Sequence, residues 1–264
     1  FTRGPEYSRP FEKVIQEAKI LADNGVKEII LLGQNVNAYQ NDNYRLSDLL
    51  IEIEKIPEIL RIRYTTSHPN DMTNDLIEIY SVSKKLMPLV HLPVQSGSDK
   101  ILDSMNRKHQ IKDYFNIYKK LKETNPAVKF SSDFIIGYPG ETEKDFNNTL
   151  DLIKEIEFIN SYSFVFSPRP GTVASKLELI DNKISLKRLE IIQQKLSDHQ
   201  IKMNKSLENE VIDVLVENKM QKSFEFFGRS EYMTPVIFNG NDEDIGKIVK
   251  IKINNSNRNT LFGK

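Results

Sequence analysis

Polar side chains without charge recur directly after short apolar runs in this 264-residue sequence. The residues concerned, together with one arginine, are Gln34, Asn35, Gln95, Ser96, Ser167 and Arg169. Amides and hydroxyls both donate and accept hydrogen bonds, and they bring no net charge to a site. This combination of residue types suits a polar small molecule that is uncharged or zwitterionic.

The most informative segment covers residues 132–142. Ser132 and Asp133 open an apolar run that ends at Gly137, Pro139 and Gly140, before an acidic helix start. Glycine allows a backbone to approach a flat ligand, and the free N–H groups of a helix N-terminus bind polar edges. The alternative interpretation is an ordinary strand-to-helix turn in which glycine serves backbone geometry alone.

Histidine and cysteine usage excludes other chemistries. The four histidines (His68, His91, His109 and His199) lie far apart with no i, i+4 pair, and the sequence has no cysteine. We therefore predict no metal ligands and interpret the histidines as structural or solvent-facing. No nucleophile elbow or Ser-His-Asp order is present, so the sequence identifies no catalytic residue.

Regular elements must hold the polar residues side by side. Apolar runs at 28–32, 60–65, 89–94, 128–136 and 161–166 predict strands, and helical spacing predicts a helix after each of them. This alternation implies a parallel sheet, barrel-like or doubly wound, with ligands at the carboxyl ends of its strands. We expect an α/β unit that gathers the polar residues along one edge.

The periodicity changes after a long helix predicted at 185–207. Short alternating runs follow residue 211, with an Asn-Gly turn signal at 239–240, and they predict a small β-barrel. We place the boundary after residue 205, which divides the chain into an α/β core at 1–205 and a barrel at 206–264.

The barrel segment holds nine acidic and eight basic residues, so its net charge does not favour RNA. Seven basic residues can still share one face: Lys219, Lys222, Arg229, Lys247, Lys250, Lys252 and Arg258. Three aromatic residues, Phe226, Phe227 and Tyr232, are candidates either for base stacking or for the barrel core.

Whole-chain composition is that of an ordinary globular protein. Lys plus Arg and Asp plus Glu both number 37, so net charge gives no evidence for a nucleic-acid partner. No apolar run is long enough to span a membrane, and the first residues do not form a signal peptide. We expect a monomeric cytoplasmic protein.

Four motifs resemble the methylthiotransferase family of radical S-adenosylmethionine (SAM) enzymes. They are Leu-Leu-Gly-Gln-Asn-Val-Asn-Ala-Tyr at 31–39, Thr-Ser-His-Pro at 66–69, Leu-Pro-Val-Gln-Ser-Gly-Ser at 92–98 and Gly-Tyr-Pro-Gly-Glu at 137–141. The tail is similar to the TRAM domain, a small RNA-binding β-barrel. The resemblance covers nearly the whole chain. It implies a partial (β/α)6 radical SAM barrel that lacks its first strand, followed by a TRAM-like barrel.

The resemblance also implies a reaction and its cofactors. The 33–37 and 66–69 segments are most similar to the branch that methylthiolates N6-(dimethylallyl)adenosine beside the anticodon of tRNA. Such enzymes use SAM and two 4Fe–4S clusters, one to cleave SAM and one to deliver sulfur, and their partner is the anticodon stem-loop. Four alternatives stay open: action on threonylcarbamoyladenosine, action on a ribosomal protein, a SAM- or nucleotide-binding enzyme without clusters, and a non-catalytic RNA-binding remnant.

By the same resemblance, the polar residues receive roles toward SAM. The amides at 34–35 would hold the methionyl amine, and the 95–96 pair would lie near the ribose and carboxylate. The 132–140 segment would flank the adenine, with Ser167 and Arg169 near the adenine or the substrate.

One departure from the family pattern concerns the clusters. The opening segment at 2–10 resembles the stretch that follows the family's CxxxCxxC motif, yet the sequence contains no cysteine. We therefore expect either the C-terminal portion of a longer protein or the product of a shortened gene. In both cases the chain would ligate no cluster and would be inactive alone.

Overall fold

The computed structural model describes residues 7–221 and 224–264 and consists of a parallel sheet with its helices, followed by a closed β-barrel. The helices are α1 (Phe11–Asp23), α2 (Leu46–Glu54), α3 (Asn74–Val82), α4 (Asp99–Ser104), α5 (Ile111–Thr124), α6 (Glu143–Ile156) and α7 (Asn182–Ser206). The strands are β1 (Glu28–Leu31), β2 (Gln40–Asn41), β3 (Tyr44–Arg45), β4 (Arg61–Tyr64), β5 (Leu89–His91), β6 (Lys129–Ser131), β7 (Asp133–Ile136), β8 (Tyr162–Val165), β9 (Val211–Lys219), β10 (Glu225–Arg229), β11 (Pro235–Asn239), β12 (Ile248–Ser256) and β13 (Leu261–Gly263).

The parallel strands form one array in the order β1, β4, β5, β6–β7 and β8. β1 pairs with β4, β5 with β6, and β7 with β8, all in parallel. The gaps are closed by parallel bridges of Ile62 with Leu86 and of Gln95 with Phe134. The predicted α/β fold with strands at five places is confirmed.

One strand is divided where the sequence predicted a continuous one. Ser132 separates β6 from β7, and its side-chain oxygen accepts a hydrogen bond from the Val94 amide at 2.9 Å. Its own amide donates to the hydroxyl of Ser161, also at 2.9 Å. Side-chain bonds thus replace the regular strand pairing here, which apolar periodicity alone does not reveal.

Alternate strand residues face opposite sides of the sheet. One side packs under the helices and is mainly apolar; it includes Ile29, Ile62, Val90, Phe130 and Phe134. The other side carries Ile30, Arg63, His91 and Asp133, which line a cavity instead. The charged side chains of these strands, Arg63 and Asp133 among them, thus lie on the concave side of the sheet.

Helix starts were predicted with mixed success. α6 begins at a capping box between Thr142 and Asp145, as its sequence indicates. α1 begins after Pro10 without a side-chain cap. Serine is a preferred helix cap, and Ser8 shortly before Pro10 is the residue that the sequence predicts in this role. It accepts a hydrogen bond from the Gln40 amide instead, so that prediction is wrong.

The barrel closes in the order β10, β11, β13, β12 and β9. Phe226 lies in its core at 1% exposure, and Tyr232 is also buried. The stacking interpretation is therefore wrong for these two aromatics. Phe227 faces outward with the Arg229 guanidinium 5.5 Å from its ring centre, while Lys222 lies outside the described residues. Over the part of the chain described here, no helix is long and apolar enough to cross a membrane.

Candidate active site at the carboxyl ends of the strands

The loops that follow β1 and β4 are joined by hydrogen bonds. The Asn37 amide group donates to the His68 carbonyl at 2.9 Å and accepts from the His68 amide at 2.8 Å. The Val36 amide donates to the carbonyl of Thr66 at 3.1 Å, and Thr66 has a positive φ of 66°. These bonds fix the position of the neighbouring Asn35.

Asn35 and Gln34 differ in how they present their amides. The Asn35 side-chain nitrogen donates to the carboxylate of Asp71 at 2.7 Å. Its oxygen is buried and has no hydrogen-bond partner among the described residues. Gln34 is exposed beside it. Asn35 therefore presents an oriented acceptor, as a bound ammonium group requires.

The loop after β5 belongs to the scaffold. Gln95 is buried with a positive φ of 73°, and its backbone bonds to β7 on both sides at 3.0 and 2.9 Å. The Ser96 hydroxyl accepts from the Ser98 amide at 3.2 Å and lies 3.5 Å from the hydroxyl of Thr149 on α6. The structure thus uses Ser96 to hold the loop against α6.

Ser132 and Asp133 are adjacent in sequence but serve different surroundings. Ser132 is fully buried and occupied by the Val94 amide. Asp133 faces the cavity, where its carboxylate lies 3.7 Å from Nε2 of His91. At the usual rise per residue, about 13 Å of strand separates Asp133 from Gly137. The two residues therefore lie at opposite ends of β7.

The turn after β7 is organised around α7. Gly137 has a φ of 70°, and an added Cβ would lie 2.8 Å from Cβ of Ser185. Glu141 is buried in an ion pair with Arg188 at 2.7 Å. Glycine at 137 is therefore required by backbone conformation and helix packing. A ligand-facing role for this Cα position, as the sequence suggested, is not needed to explain it.

The remaining predicted residues lie at the rim. Pro139 is buried, whereas Gly140 is exposed and has open space around its Cα. Ser167 and Arg169 are exposed in the loop after β8. The structure thus brings Gln34 and Asn35 together at one end of the edge and leaves Ser167 and Arg169 in solvent.

A cavity of about 730 Å³ opens on the concave side of the sheet. Its walls come from the strands, from residues 160–162 at the start of β8, and from the C-terminal barrel. The lining includes Ile30, Arg63, Leu89, His91, Asp133, Tyr162, Met233 and Thr234. Its size is within the range of small-molecule sites.

Comparison with known families identifies this arrangement. The sequence model of the radical SAM superfamily matches residues 1–153. The chain belongs to the radical SAM superfamily. The TRAM domain model matches residues 205–264, which coincides with the closed barrel.

Named relatives are similar over the whole of this radical SAM chain. A tRNA-2-methylthio-N(6)-dimethylallyladenosine synthase from Pelagibacter ubique (strain HTCC1062) is 64% identical over 100% of this chain and 60% of that protein. A synthase of the same name from Rickettsia canadensis (strain McKiel) is 46% identical over 100% of this chain and 61% of that protein. The chain spans about three fifths of the length of these curated relatives.

A solved structure supports the fold alone. Coproporphyrinogen III oxidase from Escherichia coli, a radical SAM enzyme, superposes with a TM-score of 0.54 at 13% identity. The match covers 96% of this chain and 62% of that one.

Residues of this radical SAM chain that the sequence did not single out complete the site. His109 is 2% exposed, and neither ring nitrogen has a hydrogen-bond partner within the described chain. Burial, with the nearby charges of His68 and Arg107, lowers the pKa of His109 to about 4. Its ring lies edge-on to that of His68, with centres 5.5 Å apart.

Arg107 is the second residue that sequence reasoning missed. Burial lowers the pKa of its guanidinium, and the charge of Asp133 partly offsets that effect. Among the residues described, Arg107 forms no ion pair. The only available signal was the polar run Asn-Arg-Lys-His at 106–109, which follows a short helix rather than a strand and was therefore passed over.

The donor set fits SAM but not an iron–sulfur cluster. Oriented acceptors such as the Asn35 oxygen and the unpartnered Ser67 hydroxyl suit an ammonium and a ribose, and Arg107 suits a carboxylate. Clusters require thiolates, and the sequence has no cysteine. No group of three or more His, Asp or Glu able to hold a metal occurs in residues 7–221 and 224–264.

Proposed function

We propose that this chain is the C-terminal portion of a tRNA methylthiotransferase that acts on N6-(dimethylallyl)adenosine beside the anticodon. The observation that carries the proposal is the 64% identity to a synthase of that name over the full chain. The conjunction of a radical SAM sheet with a TRAM barrel is consistent with a catalytic unit held on RNA. The boundary after residue 205 remains part of this proposal.

We further propose that Asn35 and Arg107 hold the amino-acid part of SAM. SAM supplies the methyl group and, with a reduced cluster, the means to activate an unreactive C–H carbon. The unpartnered Asn35 oxygen would accept from the ammonium, and the Arg107 guanidinium would pair with the carboxylate. Gln34, Gln95 and the 137–140 turn form the surrounding wall, whereas Ser96 and Ser132 support the loops.

Ligand binding tests this assignment independently of catalysis. We expect Asn35→Leu and Arg107→Gln each to weaken SAM binding about tenfold or more, since hydrogen bonds to charged groups are among the strongest. Equilibrium dialysis with labelled SAM measures the effect. Asn43→Leu, at an exposed asparagine, is the control, and equal affinity in all three variants would refute the assignment.

The cluster cysteines must come from outside these 264 residues, because the sequence has none. The chain alone would then ligate no cluster and catalyse nothing. A chimera tests the reaction: the N-terminal segment of the Pelagibacter ubique relative is joined to Phe1, reconstituted with iron and sulfide, and given SAM. We expect methylthiolation of a stem-loop carrying N6-(dimethylallyl)adenosine, detected by mass spectrometry of its nucleosides.

The substrate arm of this experiment separates the alternatives. Stem-loops carrying threonylcarbamoyladenosine or unmodified adenosine are the controls and should stay unchanged. Modification of the threonylcarbamoyl substrate instead would contradict the proposed specificity.

A non-catalytic RNA-binding role is the second candidate, favoured by the lack of cysteine beside a complete barrel. It predicts stem-loop binding without turnover even in the chimera. On either account we propose a monomer that meets tRNA in the cytoplasm. Sedimentation with and without the stem-loop tests that stoichiometry.

A further inference from the structure

The loop between β10 and β11, residues 230–234, is held in place by the sheet; we call it the floor loop. Arg61, Arg63 and Asn160 donate to the backbone carbonyls of residues 229–232, with N···O distances between 2.7 and 3.3 Å. Each carbonyl in this stretch has a donor from the α/β unit. The floor loop therefore has a defined position relative to the strands.

The donors that hold the floor loop are themselves removed from water. Arg61 is 1% exposed and Arg63 is 6% exposed, and burial lowers the pKa of both guanidinium groups. Burying a cation is unfavourable unless hydrogen bonds compensate it. Arg63 donates to two carbonyls of the floor loop, and Arg61 donates to Arg229, which precedes the loop, and to Asp213 on β9. These buried donors therefore fix both the loop and the strand that leads into it.

Met233 lies at the turn of the floor loop and faces the cavity. It has a positive φ of 64°, a strained conformation for a residue with a side chain, of the kind that clusters at functional sites. With Thr234 and Pro235 it lines the same 730 Å³ cavity as Ile30 and Leu89 of the sheet. The TRAM barrel thus contributes an apolar part of the cavity floor, Met233 and Pro235, beside polar residues of the barrel that include Arg258 and Asn259.

A side wall of the cavity presents two acceptors. The Ser131 hydroxyl donates to the Asn160 carbonyl at 2.8 Å, so toward His91 it can only accept, from Nδ1 at 2.8 Å. A neutral His91 then carries its proton on Nδ1 and leaves Nε2 as an acceptor. That nitrogen and the Asp133 carboxylate lie 3.7 Å apart, so one N–H group on the cavity side can donate to both in a bifurcated hydrogen bond.

We propose that this cavity takes an adenine base with an alkyl group on N6, and that Met233 gauges the length of that group. A secondary amine at N6 offers one N–H to the His91–Asp133 wall, while the alkyl chain extends over the apolar floor. The inference rests on the proposed function, because it concerns the substrate of that reaction. It assigns the TRAM barrel a share in substrate choice as well as in RNA binding.

Nucleoside binding to the 264-residue chain tests the proposal. We expect the chain to prefer N6-(dimethylallyl)adenosine over adenosine by about 10–100-fold, the usual range for added apolar groups in a fitted pocket. Met233→Phe should reduce that preference to below about threefold, because the larger side chain fills the floor, while adenosine affinity changes by about twofold at most. NMR titration of both nucleosides gives the two affinities.

Two further variants test whether the effect of Met233→Phe is specific to that position. Met233→Gly relieves the positive φ and so should fold at least as well as the parent, while weakening only the alkylated nucleoside by several-fold. Met220→Phe is the matched control and should change neither affinity, because Met220 follows β9 and bonds to Glu225 at the far end of β10 from the floor loop.

The outcomes are distinguishable from a failure of the proposed function. If Met233→Phe retained the full preference for the alkylated nucleoside, the proposed role of Met233 would be wrong. Absence of any preference in the parent chain would overturn the assignment of the cavity to the N6-substituted base. Methylthiolation by the chimera would leave the proposed reaction standing in either case.

Discussion

The two ends of the parallel strands differ in how their buried polar groups are satisfied. Toward the amino ends, Arg61 at the start of β4 and Arg63 two residues later are bonded to barrel carbonyls, and of these two side chains only Nε of Arg61 lacks a partner among the described residues. At the carboxyl ends, the Asn35 oxygen, the Ser67 hydroxyl and both His109 nitrogens are all without partners in that same set.

This difference separates scaffold from site. A buried polar atom without a hydrogen bond lowers the stability of the fold, so native proteins keep few of them. Four of the eight such side-chain atoms in the described residues belong to Asn35, Ser67 and His109 at the carboxyl ends, which indicates where a ligand completes the bonding. At the other end, the hydrogen bonds of Arg61 and Arg63 to barrel carbonyls fix the TRAM barrel to the sheet.

The largest expected effect comes from breaking the satisfied end. Arg61→Met should lower the free energy of unfolding by about 3 kcal/mol, because the carbonyls of residues 213 and 229 lose buried donors. Urea denaturation measures the change. Limited proteolysis should also show faster cleavage at residues 207–210, where the units join.

Arg45→Met is the control for Arg61. Arg45 forms an exposed ion pair with Asp75 at 3.5 Å, and loss of such a pair costs about 1 kcal/mol or less. A similar loss in both variants would mean that the arginine bonds to the barrel contribute little.

The turn after β7 gives the next largest effect. Gly137→Ala should lower the free energy of unfolding by about 2–3 kcal/mol, since both positive φ and contact with Ser185 oppose the new Cβ. Gly140→Ala has a similar φ but open space, and it should cost about 1 kcal/mol. Thermal unfolding compares the two.

Ser185→Gly should recover part of the loss in the Gly137→Ala background, because it removes the atoms that the new Cβ meets. Equal costs at 137 and 140 without recovery would show that the packing of α7 does not determine the glycine.

The sequence predicted the architecture better than the site. Strands at five places, the α6 cap at Thr142 and the barrel follow from apolar periodicity and turn chemistry, which are local properties. The division of β6 from β7 was not predictable, because it depends on a contact between Ser132 and Val94 that are 38 residues apart. The roles of Ser96 and Ser132 were likewise hidden, since a serine after a strand can face a ligand or a neighbouring amide.

His68 and His109 are another pair whose contact could not be predicted from the sequence. Their separation in sequence contains no sign of a pair, yet their rings are in contact. Arg107 was passed over because it follows a helix. Tertiary contacts that bring loops together carry no periodic signal, so only the structure could assemble this part of the site.

Titration of His109 gives a moderate effect at the open end. Its pKa is lowered from 6.5 to about 4, so the unfolded chain binds the proton first as pH falls. Stability contributed by neutral His109 is therefore present above about pH 6.5 and declines as pH falls toward about 4, by roughly 1–2 kcal/mol after solvent screening. His68, Arg107 and Asp113 are the charged groups that face its ring.

His109→Gln should flatten that part of the pH profile. Urea denaturation of the parent and the variant between those two pH values provides a difference curve, in which the contributions of the distant histidines His91 and His199 cancel. A difference that does not change with pH would contradict the buried neutral state of His109.

The smallest expected effect concerns the barrel surface. There the comparison is between lysines that form an ion pair and lysines that do not, and the expected ligand is RNA. Lys219 is paired with both carboxylate oxygens of Asp242 at 2.9 Å. Lys252 is exposed and lies opposite Lys264 across β12 and β13. In the described parts of the chain, neither Lys252 nor Lys264 forms an ion pair, so both are available to phosphate.

Lys252→Ala should therefore weaken binding of the anticodon stem-loop about threefold and reduce the salt dependence by about one counterion, with little effect on stability. Lys219→Ala should change affinity less, because its charge is already neutralised by Asp242. Filter binding at several salt concentrations measures both slopes. Equal losses of stem-loop affinity in Lys219→Ala and Lys252→Ala would mean that ion pairing within the barrel does not identify the lysines that bind RNA. The difference between partnered and unpartnered groups, which separates the two ends of the sheet, would then not apply to the barrel surface.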